Sequence, residues 1–174
     1  MTSIYMNIEK FEPKGVATIK GPEGVYMAVK SYSWGAARNV GMDIGNMNNR
    51  AAGVGSMEKI VITREMDGGS NALLTSAYKF ENTKGKKMTF VFLKPKLDGS
   101  ANDVYYKVEL TDARICSYNI SCENGAKPVE EVGIVYTKIG ITFNSEDTLG
   151  VLKKGSATVF DVPTGVLEAG ADLK

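Results

Sequence analysis

Histidine is absent from the 174 residues of this chain. Its absence excludes serine–histidine and cysteine–histidine catalysis, histidine-ligated zinc or haem, and acid–base chemistry by imidazole. An enzyme built from this chain would have to rely on carboxylate, lysine or tyrosine chemistry. The composition therefore predicts a protein that is not an enzyme and that has no catalytic, metal or cofactor site.

Cysteine is scarce, and the chain has two, Cys116 and Cys122. Two cysteines are too few for a disulfide scaffold, and a zinc site would need four ligands. Their spacing would allow a bridge across a turn. Free thiols are nevertheless the expected state in a reducing cytoplasm.

The chain also lacks a strong net charge and a long apolar run. Its 21 basic and 20 acidic residues leave a net charge of +1, so no overall field attracts nucleic acid or an anionic membrane. No apolar run approaches the ~20 residues that a membrane-spanning helix needs. Residues 1–9 lack the basic region and apolar core of a secretory signal peptide. We therefore expect no nucleic-acid partner, no membrane insertion and the cytoplasm as the first compartment.

What the chain does contain is a series of strand patterns. Apolar and polar residues alternate over residues 4–9, further strands are predicted over 25–34 and 88–93, and a plausible last strand covers 157–162. The polar turn at 98–103 predicts that the strand before it pairs with the next one as a hairpin.

Two long strand patterns change phase in the middle. Between residues 104 and 117 the apolar positions are even-numbered up to Leu110 and odd-numbered from Ala113, so the phase slips at Thr111 and Asp112. A second slip occurs at residues 137–138. A one-residue slip exchanges the buried face, which predicts a bulge or a sharp bend. Such strands turn sheet corners, so we predict a mainly β fold, a closed or nearly closed barrel of two packed antiparallel sheets.

One segment has helical rather than strand periodicity. Leu73, Leu74 and Ala77 share one face of a helix predicted over about residues 70–81. Ser70 is well placed to cap its N-terminus, because its hydroxyl can accept from an amide of the first turn. We expect this helix to flank the barrel and to pack the three apolar side chains against it.

Residues 41–56 show neither periodicity nor much apolar content. Long loops of this kind inside a domain are often functional, and the alternative is a floppy surface insertion. We expect one domain over residues 1–162 and a loose C-terminal tail over 163–174.

Two pairs of residues invite a functional interpretation. Glu130 and Glu131 are adjacent on a strand and should point to opposite faces, whereas an acid–base pair needs facing carboxylates. Tyr32 and Trp34 share a strand face and could form the floor of a ligand site, but such aromatic pairs more often belong to the core.

Five segments resemble one protein family in order and spacing. They read IYMNI at residues 4–8, SYSWG at 31–35, IVITREMDGGS at 60–70, YYKVELTD at 105–112 and EEVGIVYTKIGITF at 130–143. The chain resembles the Hcp family, the hemolysin-coregulated proteins that form the tube of type VI secretion systems. It looks like a divergent member, since Tyr32 replaces a tryptophan of the family pattern and no histidine follows the helix.

The resemblance implies a barrel with one flanking helix, in which Trp34 is structural. It further implies a homohexamer whose rings stack into a hollow tube inside a contractile sheath, with a spike protein at the tip and effector proteins in the lumen. The protein would assemble in the cytoplasm and then be secreted without a signal peptide.

The extended loop is the expected ring-stacking element, and its central residues are Gly45, Asn46, Met47, Asn48, Asn49 and Arg50. The alternative is a stand-alone, monomeric ligand-binding β-barrel with Tyr32 and Trp34 at its mouth.

Overall fold

The computed structural model describes residues 3–11, 20–21, 24–40, 52–79, 85–96 and 102–169. These residues form sixteen strands and one helix. In chain order the elements are β1 Ser3–Ile8, β2 Lys20–Gly21, β3 Gly24–Val25, β4 Met27–Val29, β5 Ser31–Ser33, β6 Ala36–Val40, β7 Ala52–Met57, β8 Ile60–Glu65, α1 Ser70–Tyr78, β9 Lys86–Pro95, β10 Asn102–Ser121, β11 Val129–Val135, β12 Lys138–Phe143, β13 Ser145–Glu146, β14 Leu152–Lys153, β15 Ala157–Asp161 and β16 Val166–Ala169.

Antiparallel pairing carries the main sheet almost completely around a barrel. Strand β4 pairs with β1, β1 with β9, and β9 with β10. The path continues from β10 to β11, from β11 to β8, and from β8 to β5. Because only Lys30 separates β4 from β5, the path returns to the bent segment where it began. The predicted mainly β, nearly closed barrel is confirmed.

The longest strand, β10, shapes the barrel together with β11 and β12. Both of these pair along one edge of β10, where Arg114 lies opposite Val135 and Thr111 lies opposite Lys138. On their other side, β11 pairs with β8 while β12 pairs with β15. The chain therefore turns a sheet corner between β11 and β12, at the second predicted phase slip.

The first predicted phase slip is a bulge in β10. The register of β10 against β9 shifts between Leu110 and Ala113, and Asp112 adopts a φ of 52°. The Asp112 carboxylate accepts a hydrogen bond from the Gly85 amide, and a Cβ on Gly85 would lie 2.5 Å from the Asp112 carbonyl carbon. The bulge lets the side chains on both of its sides face the core, as predicted.

Apolar side chains fill the interior of the barrel. Every strand of this nearly closed path except β5 contributes a buried side chain, and Tyr32 of β5 packs against these residues. The fully buried members include Met6, Ile60, Ile62, Phe90, Val108, Leu110, Val132 and Ile134.

Helix α1 differs from its prediction in three respects. It ends at Tyr78, and Gly69 rather than Ser70 is its N-cap residue. Ser70 instead accepts a hydrogen bond from the Asp67 amide (2.9 Å), which closes the turn before the helix. Leu73 is fully buried and Ala77 packs on the core, whereas Leu74 is 46% exposed. One residue advances a helix by about 100°, so a short helix that buries Leu73 turns Leu74 toward solvent.

The extended loop and the tail are more ordered than the sequence suggested. Ala52–Met57 is a strand that pairs with Ala36–Val40, and residues 41–51 lie outside the described residues. Val166–Ala169 pairs with Ala157–Asp161, so the prediction of a loose tail is wrong there, and residues 170–174 also lie outside. Both strands lack the apolar alternation by which buried strands are recognised.

The two cysteines cannot bridge within one chain. Cys116 lies in β10 and Cys122 immediately follows it, so an extended backbone separates them. Six residues of strand span about 20 Å, whereas a disulfide needs its Cα atoms within about 7 Å. The bridge that the spacing would allow is therefore excluded, and both thiols are free, as expected, and exposed.

Candidate assembly surface

A two-stranded ribbon, formed by β6 and β7, leaves the barrel between β5 and β8. Its described side chains on β6, Ala36, Ala37 and Arg38, are exposed. The predicted ring-stacking residues 45–50 belong to the segment that connects the two strands and lie outside the described residues. The part of this surface that the structure describes is therefore the ribbon and its base.

The base of the ribbon is tied to the barrel by one tyrosine hydroxyl. Trp34 Nε1 donates to the Tyr136 hydroxyl (2.6 Å), and this hydroxyl donates to the Glu58 carbonyl (2.9 Å). The Glu58 amide in turn donates to the Gly35 carbonyl (3.0 Å). Because Trp34 precedes β6 and Glu58 follows β7, both legs of the ribbon are held at the corner between β11 and β12.

The two legs of the base differ in length. Ser33 lies opposite Val61 in the barrel, and Ala36 lies opposite Met57 in the ribbon. Two residues therefore separate the paired positions on the outgoing leg and three separate them on the returning leg. This inequality shifts the register by one residue, as a β-bulge does, and bulges bend a sheet. The ribbon consequently leaves the barrel across a bend that the Tyr136 hydroxyl spans.

A buried ion pair lies beneath the N-terminus of the helix. Arg64 of β8 and Glu130 of β11 lie directly opposite each other, and they are 1% and 0% exposed. Arg64 Nη1 lies 2.9 Å from Glu130 Oε1 without hydrogen-bond alignment, and Nη2 lies 2.5 Å from Asp67 Oδ2. The contact between Arg64 and Glu130 is therefore ionic, and Asp67 connects it to the turn that starts the helix.

Tyr118 of β10 completes this buried cluster. Its hydroxyl donates a hydrogen bond to Glu130 Oε2. Removal from water and this hydrogen bond raise the pKa of Tyr118 to about 12. The cluster therefore joins β8, β10, β11 and the helix through charged and polar groups that water does not reach freely.

Arg64 is the residue that the sequence analysis missed, although a signal for it exists. Arg64 has the same strand phase as Ile60 and Ile62, and Glu130 has the same phase as Val132. Alternation alone places both charges on the inner face. Only the register between β8 and β11 shows that they neutralise each other.

The acidic pair is not an acid–base pair. Glu130 points inward to Arg64, while Glu131 is exposed and accepts a hydrogen bond from Asn119 Nδ2 (3.3 Å). Within the described ranges, no three acidic or cysteine side chains come close enough to hold a metal ion. In the same ranges, no helix is long and apolar enough to cross a membrane.

Tyr32 and Trp34 do not form the mouth of a ligand site. The Tyr32 ring packs edge-on against Phe90 and Phe92, at 5.2 and 5.3 Å between ring centroids, and burial raises the pKa of its hydroxyl.

A cleft of about 510 Å³ lies on the outside of the barrel, between the end of β9 and the turn after β13, where Lys96, Asp103 and Leu149 line it.

Two exposed apolar groups lie outside the barrel, one on the separate β13–β14 hairpin and one on the extension of the main sheet beyond β12. The Asp147 carboxylate accepts from the amides of Leu149 (2.9 Å) and Val151 (3.0 Å), and this turn presents both side chains to solvent. The hairpin of β15 and β16 carries the second group, which consists of Val162, Val166 and Leu167. Ordered, exposed apolar side chains of this kind are typical of surfaces that contact other proteins.

Comparisons with known proteins agree with this architecture. The family model described as "Type VI secretion system effector, Hcp" matches residues 5–143. No curated protein matches the chain.

Solved structures share the fold at low sequence identity. The chain is similar to a structure titled "Structure of a type six secretion system protein", with a TM-score of 0.82 and 19% identity over 97% of this chain and 100% of that one. It is also similar to Hcp1 from Salmonella typhimurium, with a TM-score of 0.69 and 14% identity over 96% and 99% of the two chains. For Hcp3 from Pseudomonas aeruginosa the TM-score is 0.57, at 19% identity over 92% and 98%. Since the family model covers most of the chain, this protein belongs to the Hcp family of type VI secretion system effectors.

Proposed function

We propose that this protein is a structural tube subunit of a type VI secretion system, which forms hexameric rings that stack into a hollow tube. A contractile sheath expels the tube, a spike protein sits at its tip, and effector proteins are carried or chaperoned in its lumen. Subunits assemble in the cytoplasm and are then secreted. The protein acts through assembly and not as an enzyme.

The family match over residues 5–143 is the observation that carries this proposal. The filled barrel supports it, because a tube subunit uses the outside of its barrel and needs no internal cavity. The exposed apolar groups at Leu149 and Val151 and on the β15–β16 hairpin support it too, since a ring needs surfaces that a neighbour covers.

Ring closure would use two different surfaces of the subunit. A head-to-tail contact closes into a ring when its rotation returns to the start, and it pairs one patch with another rather than with itself. The sheet extension offers such patches: its outermost described strand, β16, pairs with β15 only, and exposed apolar side chains flank this edge.

Stacking of rings would use the segment between β6 and β7. The two strands of the ribbon flank this segment in the chain, and stacking requires an element that protrudes from one ring face. We therefore assign stacking to residues 45–50, which are Gly45, Asn46, Met47, Asn48, Asn49 and Arg50.

Deletion of residues 45–50 tests this assignment. The deletion spares Ala52–Met57, so the described rungs of the ribbon remain available. We expect rings to persist in light scattering and tubes to disappear in electron micrographs. A matched control replaces the exposed Glu123, Asn124 and Lys127 of the turn between β10 and β11 with alanine. Normal tubes after the deletion would contradict the assignment.

A stand-alone ligand-binding barrel is the alternative, and the geometry does not favour it. Such a protein needs an enclosed cavity that takes most of the ligand's surface. Here Tyr32 and Phe90 pack together inside the barrel, and the cleft beside Leu149 lies outside it. A strictly monomeric protein in concentrated solution would nevertheless favour this alternative over the tube.

A further inference from the structure

We propose that the Tyr136 hydroxyl is a positioning group for ring stacking: by binding both legs of the β6–β7 ribbon, it fixes the direction in which the ribbon leaves the barrel. This inference rests on the proposed role of residues 45–50 in stacking. It concerns a residue that lies outside the ribbon and outside the stacking segment.

The ribbon needs an external support at its base. Two-stranded ribbons are only marginally stable by themselves and twist strongly. The base of this one also carries the unequal legs, two residues against three, so regular ladder pairing is interrupted there. Apolar packing of Trp34 and Met57 holds the base on the core but is not directional, so a further constraint is needed to fix the angle at which the ribbon leaves the barrel.

The Tyr136 hydroxyl supplies the constraint because it bonds to both legs at once. It accepts from Trp34 Nε1 (2.6 Å) and donates to the Glu58 carbonyl (2.9 Å). Trp34 belongs to the outgoing leg and Glu58 to the returning leg, and the Glu58 amide bonds to the Gly35 carbonyl across the base. Trp34 and Met57 also pack against the barrel core, and the hydroxyl adds the directional contact that joins both legs to one atom.

Tyr136 is itself held firmly. Its ring packs against the barrel core. The next residue, Thr137, donates to the Thr111 carbonyl through its amide and its hydroxyl, both at 3.2 Å, and accepts from the Val162 amide (2.8 Å). Burial raises the pKa of Tyr136, so its hydroxyl keeps the proton that it donates to Glu58. The support is therefore fixed in position and constant in its protonation at neutral pH.

Tyr136→Phe removes this hydroxyl and leaves the ring in place. Losing two hydrogen bonds at the ribbon base corresponds to about a tenfold change in an equilibrium constant. We expect the protein concentration needed for tube growth to rise by about that factor or more. Ring mass and melting temperature should stay close to those of the control Tyr105→Phe, which removes a hydroxyl from a half-buried ring against Phe92 and Phe143.

Trp34→Phe is the second variant, because it removes the other donor of the same relay. Hydrogen exchange of the Glu58 amide provides a direct readout, since this amide bonds to Gly35 at the ribbon base. Both variants should exchange faster there than Tyr105→Phe, while amides of the β1–β9 ladder remain protected. If the hydroxyl only stabilised the fold, both variants would exchange faster throughout the barrel.

The outcomes separate this inference from the proposed function. If the deletion of 45–50 abolishes tubes and both relay variants form tubes at the wild-type concentration, the positioning role is wrong and the stacking role stands. Loss of rings or of folding in both relay variants also overturns the positioning role, because the hydroxyl then supports the barrel. Normal tubes after the deletion overturn the stacking assignment itself.

Discussion

At the scale of single residues, neighbouring side chains in this protein have opposite environments. Leu73 is fully buried against the barrel, whereas Leu74 is 46% exposed on the same helix. The helical periodicity of the sequence places both on one broad apolar face. The narrower face that touches the barrel contains Ser70, Leu73 and Ala77, which follow each other at the three- and four-residue spacing of a helix.

Leu73→Ala should therefore destabilise the protein far more than Leu74→Ala. Truncation of a fully buried leucine costs about 2–5 kcal/mol, while surface changes usually stay within about 0.5 kcal/mol. Urea unfolding of the two variants measures the difference, and each is the matched control of the other. Equal losses would show that the helix packs on a different face.

Burial of Arg64 and Glu130 makes each of them dependent on the other. Glu130→Ala leaves the Arg64 guanidinium buried with Asp67 as its remaining partner, and breaking a buried pair costs about 3–5 kcal/mol. Glu131→Ala on the exposed face of the same strand is the control, with an expected change within about 0.5 kcal/mol.

A double-mutant cycle tests the ion pair directly. Arg64→Met combined with Glu130→Leu removes both charges, and apolar replacements of a buried pair are often close to neutral. We expect the double variant to lose less stability than the sum of the single variants. Additive losses in urea unfolding would contradict a direct pairing of the two side chains.

At the scale of elements, the sequence predicts those strands whose side chains alternate between core and solvent. It also predicts the bulge at Asp112, because a phase change in apolar residues reports an exchange of faces. It does not predict β7 or β16, since Ala52–Met57 is rich in small residues and Val166–Ala169 lies at an edge with exposed side chains. Pairing with a neighbouring strand, rather than burial, defines both of these.

The candidate site could be predicted only in part. The interrupted periodicity of residues 41–56 indicates an unusual segment, but the ladder between β6 and β7 comes from backbone pairing. Trp34 is predicted as structural, and the structure gives it a partner 102 positions away in the chain, at Tyr136. No local pattern encodes such a contact, because it depends on how β5 and β11 meet in space.

The extended form of β10 also determines the chemistry of the cysteines. Cys116 and Cys122 lie about 20 Å apart along it, so oxidation of the native protein should form no bridge within one chain. Treatment with a disulfide oxidant, followed by non-reducing gel electrophoresis and thiol counting, measures this. Cross-links between chains should disappear in Cys116→Ser or Cys122→Ser, depending on which thiol reacts. An oxidised monomer without free thiols would show that β10 is not extended there.

At the scale of the whole molecule, β11 and β12 pair with the same edge of β10 but lead to different parts of the protein. Strand β11 continues the barrel to β8, and the buried Arg64–Glu130 pair lies between these two strands. Strand β12 carries β15 and β16 as an extension with exposed apolar side chains. Tyr136 lies between them, at the corner that also supports the ribbon. The nearly closed barrel contains the core, and the proposed contacts with other copies use the parts that extend beyond it.

The proposed ring predicts a definite mass in solution. Below the concentration at which tubes grow, light scattering should give one species of six times the 18.8 kDa chain mass, because head-to-tail contacts that close leave no free surface for further lateral growth. A dilution series is the control, since a closed ring keeps its mass over a range in which loose aggregates dissociate gradually. Leu167→Lys and Val166→Lys place charges on the exposed hairpin and should shift the population toward monomers, whereas Glu123→Lys in the exposed turn between β10 and β11 should not. A monomer at every concentration would contradict the proposed ring and therefore the proposed tube.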